Sequence, residues 1–126
     1  MSRPALTLLD GVRWQGRPVP GARTHTLLAM LTATAPRPVS TGELVRGVWV
    51  DGPPEHPEKA LQVLVSRTRS RTAPEVVELT GAGYRLGLGE SDVDALELRR
   101  LVAEAQAAEA APDPDLARLC AEAALA

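Results

Sequence analysis

One stretch of this 126-residue chain, KALQVLVSRTRSRT, constrains the fold more than any other. Its residues Leu61, Leu64 and Val65 recur at helical spacing, and Thr68 continues the same stripe. A rotation of about 100° per residue places seven residues on the opposite face or its edges: Lys59, Gln62, Val63, Ser66, Arg67, Arg69 and Ser70. The stretch is therefore predicted to be an amphipathic helix with one buried face and one polar outer face that carries no acid.

Net charge alone does not decide what this basic face is for, because the chain has a formal net charge of −2. The charge is unevenly distributed, however. Residues 1–89 contain 11 Lys and Arg against 7 Asp and Glu, whereas residues 90–126 contain 3 against 9. A mildly basic part followed by an acidic one favours an anion-binding first part. We place a domain boundary between these two parts.

Alternating runs and turn residues organise the chain before the basic helix. A small antiparallel sheet is predicted at the N-terminus, where Asp10-Gly11 and Gln15-Gly16 separate short alternating segments. A first helix is predicted over residues 24–35, and Pro36 stops it.

A second helix is marked by its cap. Ser40 and Glu43 have the spacing of a capping box, in which each satisfies a free backbone amide of the other. The basic helix is the third, and it is predicted to begin near Pro57, a residue suited to a first helical turn.

The segment VVELTGAGYRLGL after the third helix reads as a β-hairpin with a glycine-rich tip. Val77 and Leu79 are predicted to share the inner side of this hairpin with Tyr84 and Leu86. Arg85 would then point outward near the tip.

The tail, residues 90–126, is rich in Ala, Glu and Leu and predicts a helical hairpin. Asp92 is expected to cap its first helix, which ends before Pro112, and Asp113-Pro114 starts the second. Apolar residues at the end of this hairpin are expected to self-associate or to pack against the first domain.

The residue inventory gives poor support for catalysis or metal binding. His25 and His56 are the only histidines and Cys120 is the single cysteine, and their spacing matches no metal site. The Gly81-Ala82-Gly83 sequence lies in a hairpin rather than between a strand and a helix, which argues against a nucleotide loop. We predict no enzyme activity, no metal and no cofactor. A lone cysteine and short apolar runs favour a cytoplasmic protein without a membrane span.

The order of the elements, a short sheet, three helices and a hairpin, describes an α+β winged helix-turn-helix, here followed by a helical hairpin. In such a fold the third helix enters the ~12 Å wide major groove of double-stranded DNA. The hairpin reaches the adjacent minor groove or the backbone. Sequence-specific DNA binding is therefore the leading hypothesis for residues 1–89.

The outer face of the third helix supplies most of the predicted DNA contacts. Arg67 is expected to contact base edges, which Arg can bind with two parallel hydrogen bonds. The other residues are divided between the groove face and the phosphates or minor groove: Gln62, Val63, Ser66 and Ser70 on the groove face, and Lys59, Arg69 and Arg85 toward the phosphates or minor groove.

Three motifs, VSTGELVRGVWVDGPP, KALQVLVSRTRSRT and TGAGYRL, resemble in order and spacing the DNA-binding domain of OmpR/PhoB-type regulators. More closely, they resemble the Streptomyces antibiotic regulatory protein (SARP) family of actinobacterial activators. The tail from Asp94 resembles the start of the bacterial transcriptional activator domain, a tetratricopeptide-like helical array. The resemblance implies an activator that binds direct repeats in DNA and recruits RNA polymerase, through its sigma factor or alpha subunit, by the loop at residues 50–58. A homodimer is left open.

The sequence departs from the family pattern at Thr68, where Leu is usual, and also at Thr72 and Thr80. A hydroxyl on the buried stripe needs a hydrogen-bond partner, because an unpaired one is costly to bury. Thr68 and the modest excess of cations keep a second hypothesis open. In that hypothesis the winged helix is a protein-interaction module with weak or lost DNA binding.

Overall fold

The computed structural model describes residues 3–110 and has the predicted α+β architecture. It contains five short strands and four α-helices: β1 Leu6–Thr7, β2 Arg13–Trp14, β3 Arg17–Pro18, α1 Ala22–Thr34, α2 Thr41–Val48, α3 Pro57–Arg71, β4 Val77–Thr80, β5 Gly83–Leu86 and α4 Asp94–Ala110. Single 3₁₀ turns at Pro74–Val76 and Glu90–Asp92 precede β4 and α4. The described helices are all too short or too polar to serve as membrane spans.

The N-terminal strands form the predicted antiparallel sheet in the order β1-β2-β3. Gln15 and Gly16 connect β2 to β3 with φ angles of 49° and 83°. Positive φ at both central residues is typical of a tight hairpin turn that matches the twist of its strands. The sheet is therefore built from local turn chemistry, as the sequence predicts.

The ends of the first three helices agree closely with the sequence. α1 begins at Ala22, two residues before its predicted start, and ends at Thr34. At the start of α2 the Glu43 backbone N–H donates to Ser40 Oγ at 3.2 Å, so this half of the capping box is confirmed. α3 has Pro57 as its first residue.

The inner stripe of α3 is buried as predicted, including its polar member. Leu61, Val65 and Thr68 are almost completely inaccessible to solvent, and Leu64 is close to it. The Thr68 hydroxyl donates to the backbone carbonyl of Leu64 at 2.9 Å. Its burial is therefore satisfied within the helix, and the fold does not lose a hydrogen bond at this position.

Strands β4 and β5 form a hairpin, called the wing below, with Val77 paired to Leu86 and Leu79 to Tyr84. Val77, Tyr84 and Leu86 are buried, but Leu79 is 68% exposed, so the prediction that Leu79 shares the inner side is wrong. Leu79 does lie on the same face as Val77. Its cross-strand partner Tyr84 is buried on that face, so at this level the core covers β5, which also bridges to Val39, and leaves the edge strand β4 exposed.

Strand β5 of the wing is bonded, next to the tip, to the segment that leads into α2. Val39 N–H donates to the Tyr84 carbonyl at 2.8 Å, and Tyr84 N–H donates to the Val39 carbonyl at 3.0 Å. At Gly83, where φ is 135°, an added Cβ would lie 2.0 Å from the Val39 carbonyl oxygen. Glycine is therefore required at Gly83 by the close approach of two backbones as well as by its φ angle.

One hydrophobic core joins the N-terminal sheet, α1, α2, α3, the inner side of the wing and the start of α4. Val93 and Leu96 belong to this core, and Val93 forms an isolated parallel bridge with Leu6 of β1. α4 begins at Asp94, two residues after Asp92, the predicted cap. The predicted second helix of the tail lies outside the described residues.

Polar contacts reinforce the packing of α4 on the first part of the chain. The Asp94 carboxylate accepts hydrogen bonds from the backbone N–H groups of Leu8 at 2.8 Å and Leu9 at 3.1 Å. The Arg99 guanidinium donates to the Ala35 carbonyl, at the end of α1, at 2.7 Å. The start of the acidic tail is thus packed against the winged helix. The apolar residues at the end of the tail, which were expected to self-associate or to pack on the first domain, lie outside the described residues. A domain boundary at residue 89 stays a prediction.

Candidate nucleic-acid interface

The outward face of α3 is the main candidate surface. Its 15 residues extend for about 22 Å, and its inner stripe holds the helix on the core. Six of the eight predicted contact residues lie exposed on this face: Lys59, Gln62, Val63, Ser66, Arg67 and Ser70. Val63 is 43% exposed, which leaves an aliphatic side chain among polar ones.

The cations on this face are available to an outside partner. Within residues 3–110, neither the Arg67 guanidinium nor the Lys59 ammonium has a hydrogen-bond or ion-pair partner. No acidic residue occurs between Lys59 and Arg71. A guanidinium with its donors free can bind a base edge or a phosphate oxygen without first breaking an internal contact.

Arg69 lies differently from its predicted position. Its side chain is half-buried, and its Nε and Nη2 donate to the Val77 carbonyl oxygen at 3.0 and 2.8 Å. Val77 is the first residue of the wing. Arg69 therefore ties the end of α3 to the start of the wing, and its donors Nε and Nη2 are already engaged.

Arg85 is exposed on the wing, as predicted, but it has an acidic partner. Its Nε lies 2.7 Å from Glu78 Oε2, on the residue directly opposite in the β4–β5 ladder. The two side chains remain 46% and 40% exposed. Exposed pairs of this kind contribute about 0–1 kcal/mol, so Arg85 can exchange Glu78 for a phosphate at small cost.

The tip of the wing is a two-residue turn at Gly81-Ala82 that is shaped by Thr80. The Thr80 hydroxyl donates to the Gly83 carbonyl at 3.0 Å and accepts from the Ala82 N–H at 3.1 Å. The Thr80 side chain thus orders the turn, and the turn residues Gly81 and Ala82 are both exposed.

Sequence reasoning missed two residues beside α3. The Arg23 guanidinium carbon lies 5.5 Å from the centroid of the Trp49 ring. Both residues line the same surface groove as Lys59 and Arg67. Arg23 is in the first turn of α1, and nothing in its local sequence indicates that α3 lies next to it.

The loop between α2 and α3 carries a second surface feature. Its residue Val50 is 79% exposed. A cavity of about 570 Å³ opens between this loop and α2, with Val45, Arg46 and Trp49 on the helix side and Pro53 on the loop side. The cavity offers an apolar surface with one cation, Arg46, and one acid, Glu58, at the predicted polymerase-contacting segment.

The two histidines have different surroundings. His25 Nε2 contacts the Val19 carbonyl, and the side chain is half-buried, which agrees with a structural role. His56 is exposed just before α3. Among the described residues, no group of three His, Cys, Asp or Glu is placed to hold a metal ion.

Comparison with known proteins finds a likeness to a solved structure and none to a family model or a curated protein. No protein-family model and no curated protein matches the sequence significantly. A solved structure, Mycobacterium tuberculosis EmbR in complex with a low affinity phosphopeptide, is similar with a TM-score of 0.75 and 27% sequence identity. The likeness covers 98% of this chain and 35% of the EmbR chain. This chain has the same winged-helix fold as the matching part of EmbR, and it spans about a third of the length of that chain.

Proposed function

We propose that this chain is the DNA-binding part of a transcriptional regulator of the SARP type. The observation that carries the proposal is the outer face of α3, which is exposed, free of acids and held beside a wing. Its free cations would supply the electrostatic attraction to the phosphates, and the small residues between them would admit base edges. The likeness to EmbR supports the same assignment.

Within this proposal the contact residues take distinct roles. Arg67 reads a base edge, while Gln62, Val63, Ser66 and Ser70 line the major groove around it. Lys59 and Arg85 meet phosphates or the minor groove. Arg69 is removed from the direct contacts and becomes a positioning residue, because Nε and Nη2 are bonded to the wing backbone.

The partners follow from the same assignment. A regulator of this type would act in the cytoplasm on direct repeats in double-stranded DNA and would recruit RNA polymerase through its sigma factor or alpha subunit. The exposed Val50 and the cavity beside it support the loop at residues 50–58 as the polymerase-contacting surface. The activator role, the actinobacterial origin, a homodimer and the identity of residues 90–126 as the start of a bacterial transcriptional activator domain remain parts of the proposal.

The rival hypothesis, a protein-interaction module without DNA binding, loses one of its supports. It rested partly on the hydroxyl of Thr68 on the buried stripe, and this hydroxyl is bonded to the Leu64 carbonyl. Because the Thr68 hydroxyl is hydrogen-bonded, this position gives no reason to infer that the face has lost DNA binding.

The test is selection from a pool of random-sequence duplexes, followed by titration of the selected duplex and of a scrambled one. Arg67→Ala should lose about 1–3 kcal/mol of specific binding and its preference at one base pair. Thermal unfolding should change by no more than ~0.5 kcal/mol, as for other surface substitutions. Arg17→Ala, which removes an exposed Arg from β3, is the matched control for charge. If Arg67→Ala binds every duplex with the same affinity as the parent, α3 does not read bases.

A further inference from the structure

A groove of about 420 Å³ lies where three elements meet at the edge of the α3 face. The first turn of α1 contributes Arg23, the end of α2 contributes Trp49, and α3 contributes Lys59, Val63 and Arg67. One water occupies roughly 30 Å³ of liquid, so this groove has room for a phosphodiester group with part of its hydration shell.

The charge of the groove is one-sided. Arg23, Lys59 and Arg67 are permanent cations, and no Asp or Glu lines the groove. Glu55 and Glu58 line the neighbouring depression at the start of α3 instead. Lys59 also lines that depression and so has carboxylates on its other side, whereas Arg23 and Arg67 have no acidic partner among the described residues. Like charges in one groove repel one another in the free protein. A bound anion relieves this repulsion and gains attraction from all three.

Trp49 holds the Arg23 guanidinium in place. The cation lies over the indole ring at 5.5 Å, a distance at which the ring quadrupole attracts it. Stacking uses one face of the guanidinium plane and leaves its N–H edges free. Among the described residues no oxygen accepts a hydrogen bond from Arg23. The side chain is thus ordered before binding, and its N–H donors are free, which lowers the entropy cost of binding a phosphate.

We infer that this groove seats one backbone phosphate of the DNA beside the major groove that α3 occupies, with Arg23 as its main donor. The inference rests on the proposed DNA-binding function and extends the interface to α1, a helix outside the helix-turn-helix pair. Planar Arg donors suit two phosphate oxygens at once. Lys59 flanks the same phosphate from the α3 side, and Arg67 adds the attraction of its charge while its donors read a base edge.

A phosphate contact has a recognisable signature in binding data. Arg23→Ala should weaken binding by roughly tenfold on the selected duplex and on scrambled duplexes alike, because the backbone is the same in all of them. The slope of log affinity against log salt should become shallower by about 0.9, the value for one neutralised phosphate on duplex DNA. Arg23→Lys should keep most of the affinity, whereas Arg17→Ala should keep all of it.

A scan with single methylphosphonate substitutions identifies the phosphate itself. The parent should lose affinity at one backbone position outside the bases that Arg67 reads, and Arg23→Ala should be insensitive at that same position. Such non-additivity is the mark of a direct pair. Thermal unfolding of each variant shows that the fold is intact.

The outcomes separate this inference from the proposed function. If the parent binds and Arg67→Ala loses specificity while Arg23→Ala behaves as Arg17→Ala does, the groove holds no phosphate and the DNA-binding function stands. If Arg23→Ala weakens only the selected duplex, Arg23 reads sequence and the inference is overturned. If the parent binds no duplex at all, the proposed function fails and the inference fails with it.

Discussion

On α3, Arg67 lies exposed with no internal partner in the described part of the chain, whereas on the wing Arg85 donates to Glu78 at 2.7 Å. Both are solvent-accessible arginines on elements that a winged helix uses to contact DNA. They differ in what must be given up before an outside anion can bind. The α3 face is open from the start, and the wing has to exchange one carboxylate for another acceptor.

Arg69 extends this comparison, because it belongs to α3 in sequence and to the wing in its contacts. Two positions after Arg67 the helix has turned by about 200°, and the guanidinium reaches the Val77 carbonyl rather than the solvent. Counting cations in a basic helix therefore overstates the number that can meet a ligand. Arg67 has no internal partner among the described residues, Arg85 is paired with Glu78, and Arg69 is bonded to the Val77 carbonyl.

The largest effect on stability is expected when a residue on the buried face of α3 is truncated, in comparison with one on the exposed face. Leu61→Ala should lower the free energy of unfolding by about 2–5 kcal/mol, because it truncates a fully buried side chain. The folded fraction should still bind DNA with the affinity of the parent. Val63→Ala, on the exposed face, is the matched aliphatic control and should leave thermal unfolding nearly unchanged. Similar losses in both variants would mean that the two faces are not separate.

The next effect breaks the link between α3 and the wing. Arg69→Ala removes two donors from the Val77 carbonyl, and we expect a loss of about 1–3 kcal/mol in stability. Hydrogen exchange should speed up at the wing amides more than within α1. Arg69→Lys keeps the charge but not the two-donor geometry, so it should fall between the parent and Arg69→Ala. A result in which Arg69→Ala is fully stable and only DNA affinity falls would return Arg69 to the phosphate contacts.

The smallest effect is expected on DNA affinity when the Arg85–Glu78 ion pair on the wing is removed. Glu78→Gln releases Arg85 from an exposed ion pair worth at most ~1 kcal/mol, so DNA affinity should rise by up to about fivefold. Glu75→Gln makes the same change in net charge at an exposed position of the 3₁₀ turn before β4. The gain should be greater for Glu78→Gln, and equal gains would show that only net charge matters. Titration at constant salt measures both.

Local patterns allowed most of the fold to be predicted from the sequence. The cap at Ser40, the start at Pro57 and the buried stripe through Thr68 are each determined by residues within one or two helical turns. The exposure of Leu79 was not predictable in this way. It depends on which strand of the wing the core covers, because Tyr84, directly opposite on the same face, is buried. That coverage is a property of the whole fold.

The site was predictable in part for the same reason. The outward face of α3 follows from helical period alone, and the structure leaves six of its residues exposed. The tether from Arg69 to Val77 and the pair of Arg85 with Glu78 require the placement and register of the wing, which the sequence pattern left unspecified. The approach of Arg23 to α3 joins residues far apart in the chain, so only the folded structure reveals it.

The wing offers a consequence for redesign. Strand β5 cannot be altered freely next to the tip, because Gly83 approaches the Val39 carbonyl and Tyr84 exchanges two backbone hydrogen bonds with Val39. The tip is unconstrained in space, since a Cβ added at Gly81 would meet nothing within 4 Å. The fold thus fixes β5 as far as Gly83, whereas the turn residue Gly81, two positions earlier, has room for a side chain. Tips of different chemistry can be exchanged between Thr80 and Gly83 as cassettes, without repacking the domain beneath them.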